Sequence, residues 1–94
     1  MILITVSTED SARLIKNLVS ACNRQDQAVA LFFTGLGVRL LDDQNFLGCI
    51  GSAGEAVACG ESWRHIFLDP CPISEGSHTD HSRLISQASH LLSF

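Results

Sequence analysis

Four cysteines and four histidines are the residues of this chain with most chemistry to offer, and Cys59 has the most suggestive surroundings. It closes the stretch Glu55-Ala56-Val57-Ala58-Cys59, whose small and apolar residues suit an interior strand. Gly60 follows and permits a tight backbone turn. Glu61-Ser62-Trp63-Arg64-His65 then has the composition of a helix opening. A thiol at that junction faces the free N–H groups of the helix start, whose partial positive charge favours thiolate over thiol. Arg64 and His65 add positive or titratable groups if their side chains turn towards the sulfur, and His65 is the candidate for stabilising the thiolate. Trp63, the only Trp, could wall the sulfur's pocket, anchor a subunit contact or pack in the core.

Cys71, between Pro70 and Pro72 in a stiff extended loop, is the second thiol to consider. It could resolve Cys59 as a disulfide, although eleven residues separate them and no C-x-x-C motif is formed. With His78 and His81 it could instead hold zinc, but the spacing lacks the usual close cysteine pair. Histidines of a loop and helix start are the simpler account, so no metal site and no cofactor are expected. Cys22 continues an apolar helical stripe and Cys49 sits in a packed segment, so both read as small core residues.

The elements that must position Cys59 follow from the apolar pattern. Ile2 to Val6 reads as a strand buried on both faces. Ser7 and Asp10 suggest a capping box for a helix carrying Ala12, Ile15, Leu18, Val19 and Cys22 on one side, through about Asn23. Gln27 to Phe33 gives a second strand, and strand, helix and strand make a right-handed βαβ unit. Gly35-Leu36-Gly37 invites a phosphate-loop reading, yet Leu40 stands where a third glycine is needed and no Lys-Ser/Thr pair follows. A tight turn into a short helix, Val38 to about Asp42, is expected there, with Asp42 and Asp43 as solvated loop residues.

A further helix over Asn45 to Ser52 would turn Phe46, Leu47 and Ile50 inward. Ser74 to His78 reads as a turn-rich connection, and Thr79 as the N-cap of a last helix whose apolar face is Leu84, Ile85 and Ala88. His90 to Phe94 is either that helix's end or a final strand. The alternation predicts an α/β fold, a small open, mostly parallel sheet flanked by helices in three flavodoxin-like layers. Ligands of such sheets bind beyond the carboxyl ends of the strands, the edge at which Cys59 falls.

Composition narrows the rest. Ninety-four residues allow one core, so residues 1–94 are expected to form a single domain. The net charge of −4, with one Lys and five scattered Arg, argues against nucleic acid. No apolar run approaches the ~20 residues of a membrane span, and the start lacks a basic signal region. With 46% hydrophobic and 17% charged residues the chain needs no disulfide staples, so reduced thiols and a cytoplasmic location are expected. No G-x-S-x-G pattern supports a serine hydrolase.

Three segments carry a family resemblance. VALFFTGLGVRLL (Val29 to Leu41) resembles the strand and Gly-Val turn of the DsrE/DsrF-like (TusD/TusC-like) sulfur-relay proteins. EAVACGES, ending in Cys59 and its neighbours, is similar to that family's strand with the sulfur-accepting cysteine. EGSHTDHSRLISQASHLLSF looks like its closing turn, helix and short strand. The resemblance implies a cytoplasmic subunit of a homo- or hetero-oligomer that accepts sulfane sulfur as a persulfide on Cys59 and passes it to a partner carrier. Sulfur donor and acceptor proteins would then be its partners. The alternatives are a non-catalytic oligomeric interaction subunit of the same fold and a small thiol redox or metal-binding domain using Cys59 or Cys71 with His78 and His81.

Overall fold

The computed structural model describes residues 1–94. Five strands form one sheet: β1 (Ile2–Val6), β2 (Val29–Phe33), β3 (Glu55–Cys59), β4 (Ser74–Gly76) and β5 (His90–Ser93). Their spatial order is β4-β3-β2-β1-β5, and every neighbouring pair is parallel. Between them run α1 (Ala12–Arg24), a 3-10 helix (Gly35–Asp42), α2 (Gln44–Ile50), α3 (Gly60–Ile66) and α4 (His78–Gln87). This is the expected α/β architecture, three layers in flavodoxin-like arrangement. No helix is long and apolar enough to cross a membrane.

Strand order and crossover handedness together decide which face each helix covers. From β1 to β4 the chain steps across the sheet in one direction, so right-handed crossovers put α1, the 3-10 helix with α2, and α3 on a common face. The connection from β4 to β5 travels back past three strands and lays α4 on the opposite face. The packing agrees. Ile4, Val6, Leu31, Phe33 and Ala58 join Ile15, Val19, Val38, Leu41, Phe46 and Trp63 in one cluster. Leu3, Ala30, Phe32, Val57 and Cys59 point the other way and meet Leu84 of α4. The period-2 alternation of parallel strands in register produces this division.

Local chemistry sets the helix boundaries, and at several it differs from expectation. Ser7 does not cap α1, which begins after Ser11. Its backbone N–H and its hydroxyl both bond the Phe94 carbonyl instead, at 2.7 and 3.1 Å, tying the end of β1 to the chain's last residue. Asp43, expected as a solvated loop acid, is the N-cap of α2: its carboxylate accepts the Asn45 and Phe46 N–H groups at 2.9 and 3.4 Å. α4 is capped by Ser77, not Thr79, through a capping box in which Asp80 accepts the Ser77 N–H at 2.8 Å. Ser74 to Gly76, read as a turn, is a short edge strand on β3. Ile85 is 41% exposed, because α4 lies on the sheet along a narrow line centred on Leu84.

Candidate functional site

At the carboxyl end of the sheet, β3 leads into α3 on one face while β4 leads into α4 on the other. Loops that part to opposite faces of adjacent parallel strands leave a crevice between them. A cleft of about 710 Å³ opens there. The β2 turn supplies Thr34, Gly35 and Leu36, the β3 end supplies Cys59, and α3 supplies Glu61, Ser62 and His65. His78, the first residue of α4, closes the far side, and Arg39 of the 3-10 helix stands at its edge.

The β2 turn is shaped by its two glycines. Gly35 adopts φ +54°, left-handed backbone that favours glycine. A Cβ on Gly37 would lie 2.2 Å from the Val6 carbonyl oxygen, so the turn passes against β1 only because that side chain is missing. The Gly-x-Gly pattern is therefore accounted for by backbone packing, and the Gly37 N–H is spent on the Thr34 carbonyl at 3.0 Å.

Cys59 is the last residue of β3 and the N-cap of α3. Only 7% of it is exposed, yet it forms part of the cleft wall. Burial is the largest single influence on its pKa and pushes it up. The Ser62 hydroxyl and N–H, the Glu61 N–H and the Thr34 hydroxyl act the opposite way, and together they bring the thiol below its ordinary value. Its sulfur accepts no cap hydrogen bond, so these neighbouring dipoles lower the pKa without one. Such an arrangement supports a thiolate, the nucleophilic form of cysteine.

The other candidates fall in different places. Gly60 is the first residue of α3 with ordinary backbone, so it opens the helix and makes no left-handed turn. His65 lies in the cleft with Cys59, as does His78. Arg64 turns away to Glu75 of β4, 2.9 Å distant. Trp63 is core: it is buried, stacks on Phe67 with centroids 4.3 Å apart, and donates its indole N–H to the Asp69 carbonyl at 2.6 Å.

Cys71 does not line the cleft and packs against the cluster on the opposite face of the sheet from Cys59. Burial pushes its thiol up, with Glu75 adding to the effect. All four cysteines are free. His81 also lies outside the cleft, stacked on Phe32 at 4.3 Å with its Nε2 3.0 Å from the Thr5 hydroxyl. No group of three His, Cys, Asp or Glu side chains is gathered closely enough to hold a metal ion, so Cys71, His78 and His81 form no such site. Cys22 packs at the margin of the large cluster, whereas Cys49 is exposed on α2.

Two contributors to the thiol's surroundings escaped the sequence reading. Ser62 was readable in principle, since Cys59-x-x-Ser62 places a hydroxyl one helical turn from a capping thiol. Thr34 had no local signal, because it reaches the sulfur only through the pairing of β2 with β3. No protein-family model matches the chain, and no curated protein matches it.

Proposed function

We propose that this chain is a DsrE/DsrF-like sulfur-relay subunit that carries sulfane sulfur as a persulfide on Cys59. The observation that supports this most is the placement of one polarised thiol in the main cleft, with its pKa lowered and no second thiol beside it. In the forward step the Cys59 thiolate attacks the outer sulfur of a donor persulfide, R–S–SH. The new bond joins Cys59 to that sulfur, the donor's S–S bond breaks, and R–S⁻ leaves with the electron pair. The proton stays on the transferred sulfur. An acceptor thiolate then takes the same sulfur, and Cys59 leaves as a thiolate. A depressed pKa serves both halves, making the attacking form available and the departing form stable. Donor and acceptor proteins of the cytoplasm are the partners this reading requires, with the subunit working in a homo- or hetero-oligomer.

Intact mass after incubation with a persulfide donor tests it. Wild type is expected to gain one sulfur atom, reversibly with reductant, and Cys59→Ser to gain none. A second reading, a non-catalytic interaction subunit, is favoured by the near-complete burial of Cys59 and the exposure of Leu91 and Leu92 on edge strand β5. It predicts no sulfur gain in either protein, together with slow alkylation of Cys59 in the folded state.

A further inference from the structure

The two edges of the sheet are built differently. β4 is three residues long, follows the stiff Pro70-Cys71-Pro72 loop, and carries Glu75 held by Arg64 at 2.9 Å. Short length, proline and charge are the usual means of keeping an edge from pairing with another chain. β5, His90-Leu91-Leu92-Ser93, contains no proline, Asp, Glu, Lys or Arg, and every residue of it is exposed. Phe94, next in the chain, donates its N–H to the Thr5 carbonyl and accepts the Ser7 N–H, so both its backbone groups face β1. The alternation of a strand then turns the N–H and C=O groups of Leu91 and Ser93 away from β1, where no further strand meets them.

Side chains at this edge are apolar on both faces. Leu91 pairs in register with Leu3 and stands on the α4 face, while Leu92 pairs with Ile4 and stands on the other. Beside Leu91, α4 adds Ile85. His81 leans to the β1 side, where it meets Thr5, and Ile85 lies four residues on along the same flank. The charges of α4 take the opposite flank: Arg83 reaches Glu55 of β3, and Asp80 lies against Gly76 of β4. Ile85, Leu91 and Leu92 are therefore exposed together at an edge where two copies could approach without like charges meeting.

We propose that β5 is a dimerisation edge, pairing antiparallel with β5 of a second copy about a two-fold axis perpendicular to the sheet. The axis passes between the two Leu92 residues. In that register each Leu91 exchanges both backbone bonds with Ser93 of the other copy, and no outward group of β5 is left over. A register centred on Leu91 would set Ser93 against Ser89, whose N–H is already given to the Met1 carbonyl. A second copy is the occupant this edge fits, because the pairing satisfies its donors, acceptors and leucines with the same residues, and its neutrality removes the repulsion of like edges. So short a strand gives a small interface, and the dimer dissociates in the micromolar range. No residue of β5 lines the cleft, which stays open in both copies. The surface would serve the oligomer of the carrier reading, but the inference does not involve Cys59.

The experiment is sedimentation equilibrium of wild type, Leu92→Lys, Ser93→Pro and Ser74→Lys, with circular dichroism to establish that each is folded. Wild type is expected to show a monomer–dimer equilibrium. Leu92→Lys sets two like charges directly opposite each other and is expected to weaken association about tenfold or more. Ser93→Pro removes an outward N–H while sparing the pairing with β1, and it is expected to weaken association even if the lysine variant fails to fold. Ser74→Lys alters the β4 edge and is expected to associate as wild type does. A wild type that stays monomeric throughout the micromolar range overturns the proposal. So does a dimer that Ser93→Pro leaves intact, or one that Ser74→Lys weakens as much. Hydrogen exchange gives the register: the Leu91 and Ser93 amides are expected to gain protection as the dimer forms, and unprotected amides there in a dimer place the interface elsewhere and overturn it. Failure of wild type to gain sulfur from a persulfide donor would count against the carrier reading alone, leaving the sedimentation result to stand.

Discussion

Beneath α1, the 3-10 helix, α2 and α3, thirteen buried apolar residues close one face of the sheet, whereas six close the face beneath α4. The larger side is held by interlocking hydrocarbon, including the edge-to-face pair of Phe33 and Phe46 with centroids 5.9 Å apart. α4 itself buries only Leu84, and around it the fastenings are polar or aromatic: His81 stacked on Phe32 and bonded to Thr5, and Arg83 paired with Glu55 at 2.6 Å. The Arg83–Glu55 pair is solvent-exposed and screened by salt, so it adds orientation more than stability. Topology explains the contrast, since three crossovers share one face and the return crossover has the other to itself. The candidate cleft lies where the two regimes meet, with Cys59 belonging to the thinner side.

Truncation on the thick side should have the largest effect. Phe46→Ala is expected to cost about 3–5 kcal/mol in denaturant unfolding, because its cavity is walled by several elements and cannot collapse. If the loss is below about 1 kcal/mol, the two faces do not differ in the way described. Leu84→Ala should cost less, about 2–3 kcal/mol. It should also act locally, lowering hydrogen-exchange protection of α4 amides while β1, β2 and β3 stay protected. Uniform loss of protection across the sheet would show that the thin side is as tightly coupled as the thick one.

The smallest effect expected is that of pH on the α4 docking. Burial, and then the neighbouring His78, hold the His81 pKa below its ordinary value of about 6.5. The unfolded chain therefore binds a proton at His81 more readily than the folded chain does. Stability from this contact is complete above about pH 6.5 and falls as pH drops towards the lowered folded value, where the dependence ends. His81→Phe should flatten that slope relative to wild type in paired unfolding titrations. Equal slopes in the two proteins would remove His81 from the account of how α4 is held.

The same contrast explains what was legible in the sequence. β1, β2 and β3 are buried on both faces and read directly as apolar runs, and the Cys59 junction followed from β3 ending at Gly60. β4 carries Ser74, Glu75 and Gly76, none of them apolar, because an edge strand supported mainly by β3 needs backbone pairing more than side-chain burial. Composition does not single out the helix caps, because Ser7, Ser11, Ser77 and Thr79 are all competent ones. Which one serves depends on where the chain is tied, as when Ser7 is taken by Phe94. Ile85 followed the helical stripe correctly but met no partner, since one helix alone cannot cover that face. Thr34 and His78 come to share the cleft with Cys59 only through the sheet, and no spacing along the chain announces such neighbours.

The return crossover divides the strand pairings into short-range and long-range ones. Every residue of the thirteen-member cluster lies at or before Trp63, and the strand pairings β1–β2, β2–β3 and β3–β4 each close a comparatively short segment. Those contacts are local enough to form early. β5 instead must find β1 across nearly the whole chain, pairing His90 with Ile2 and Ser93 with Thr5. Closing so long a loop adds only modest entropy over the shorter ones, but it must wait until α4 has crossed the sheet. Without β5 the β1 edge would be unpaired, and an open strand edge of that kind is where chains stick to one another.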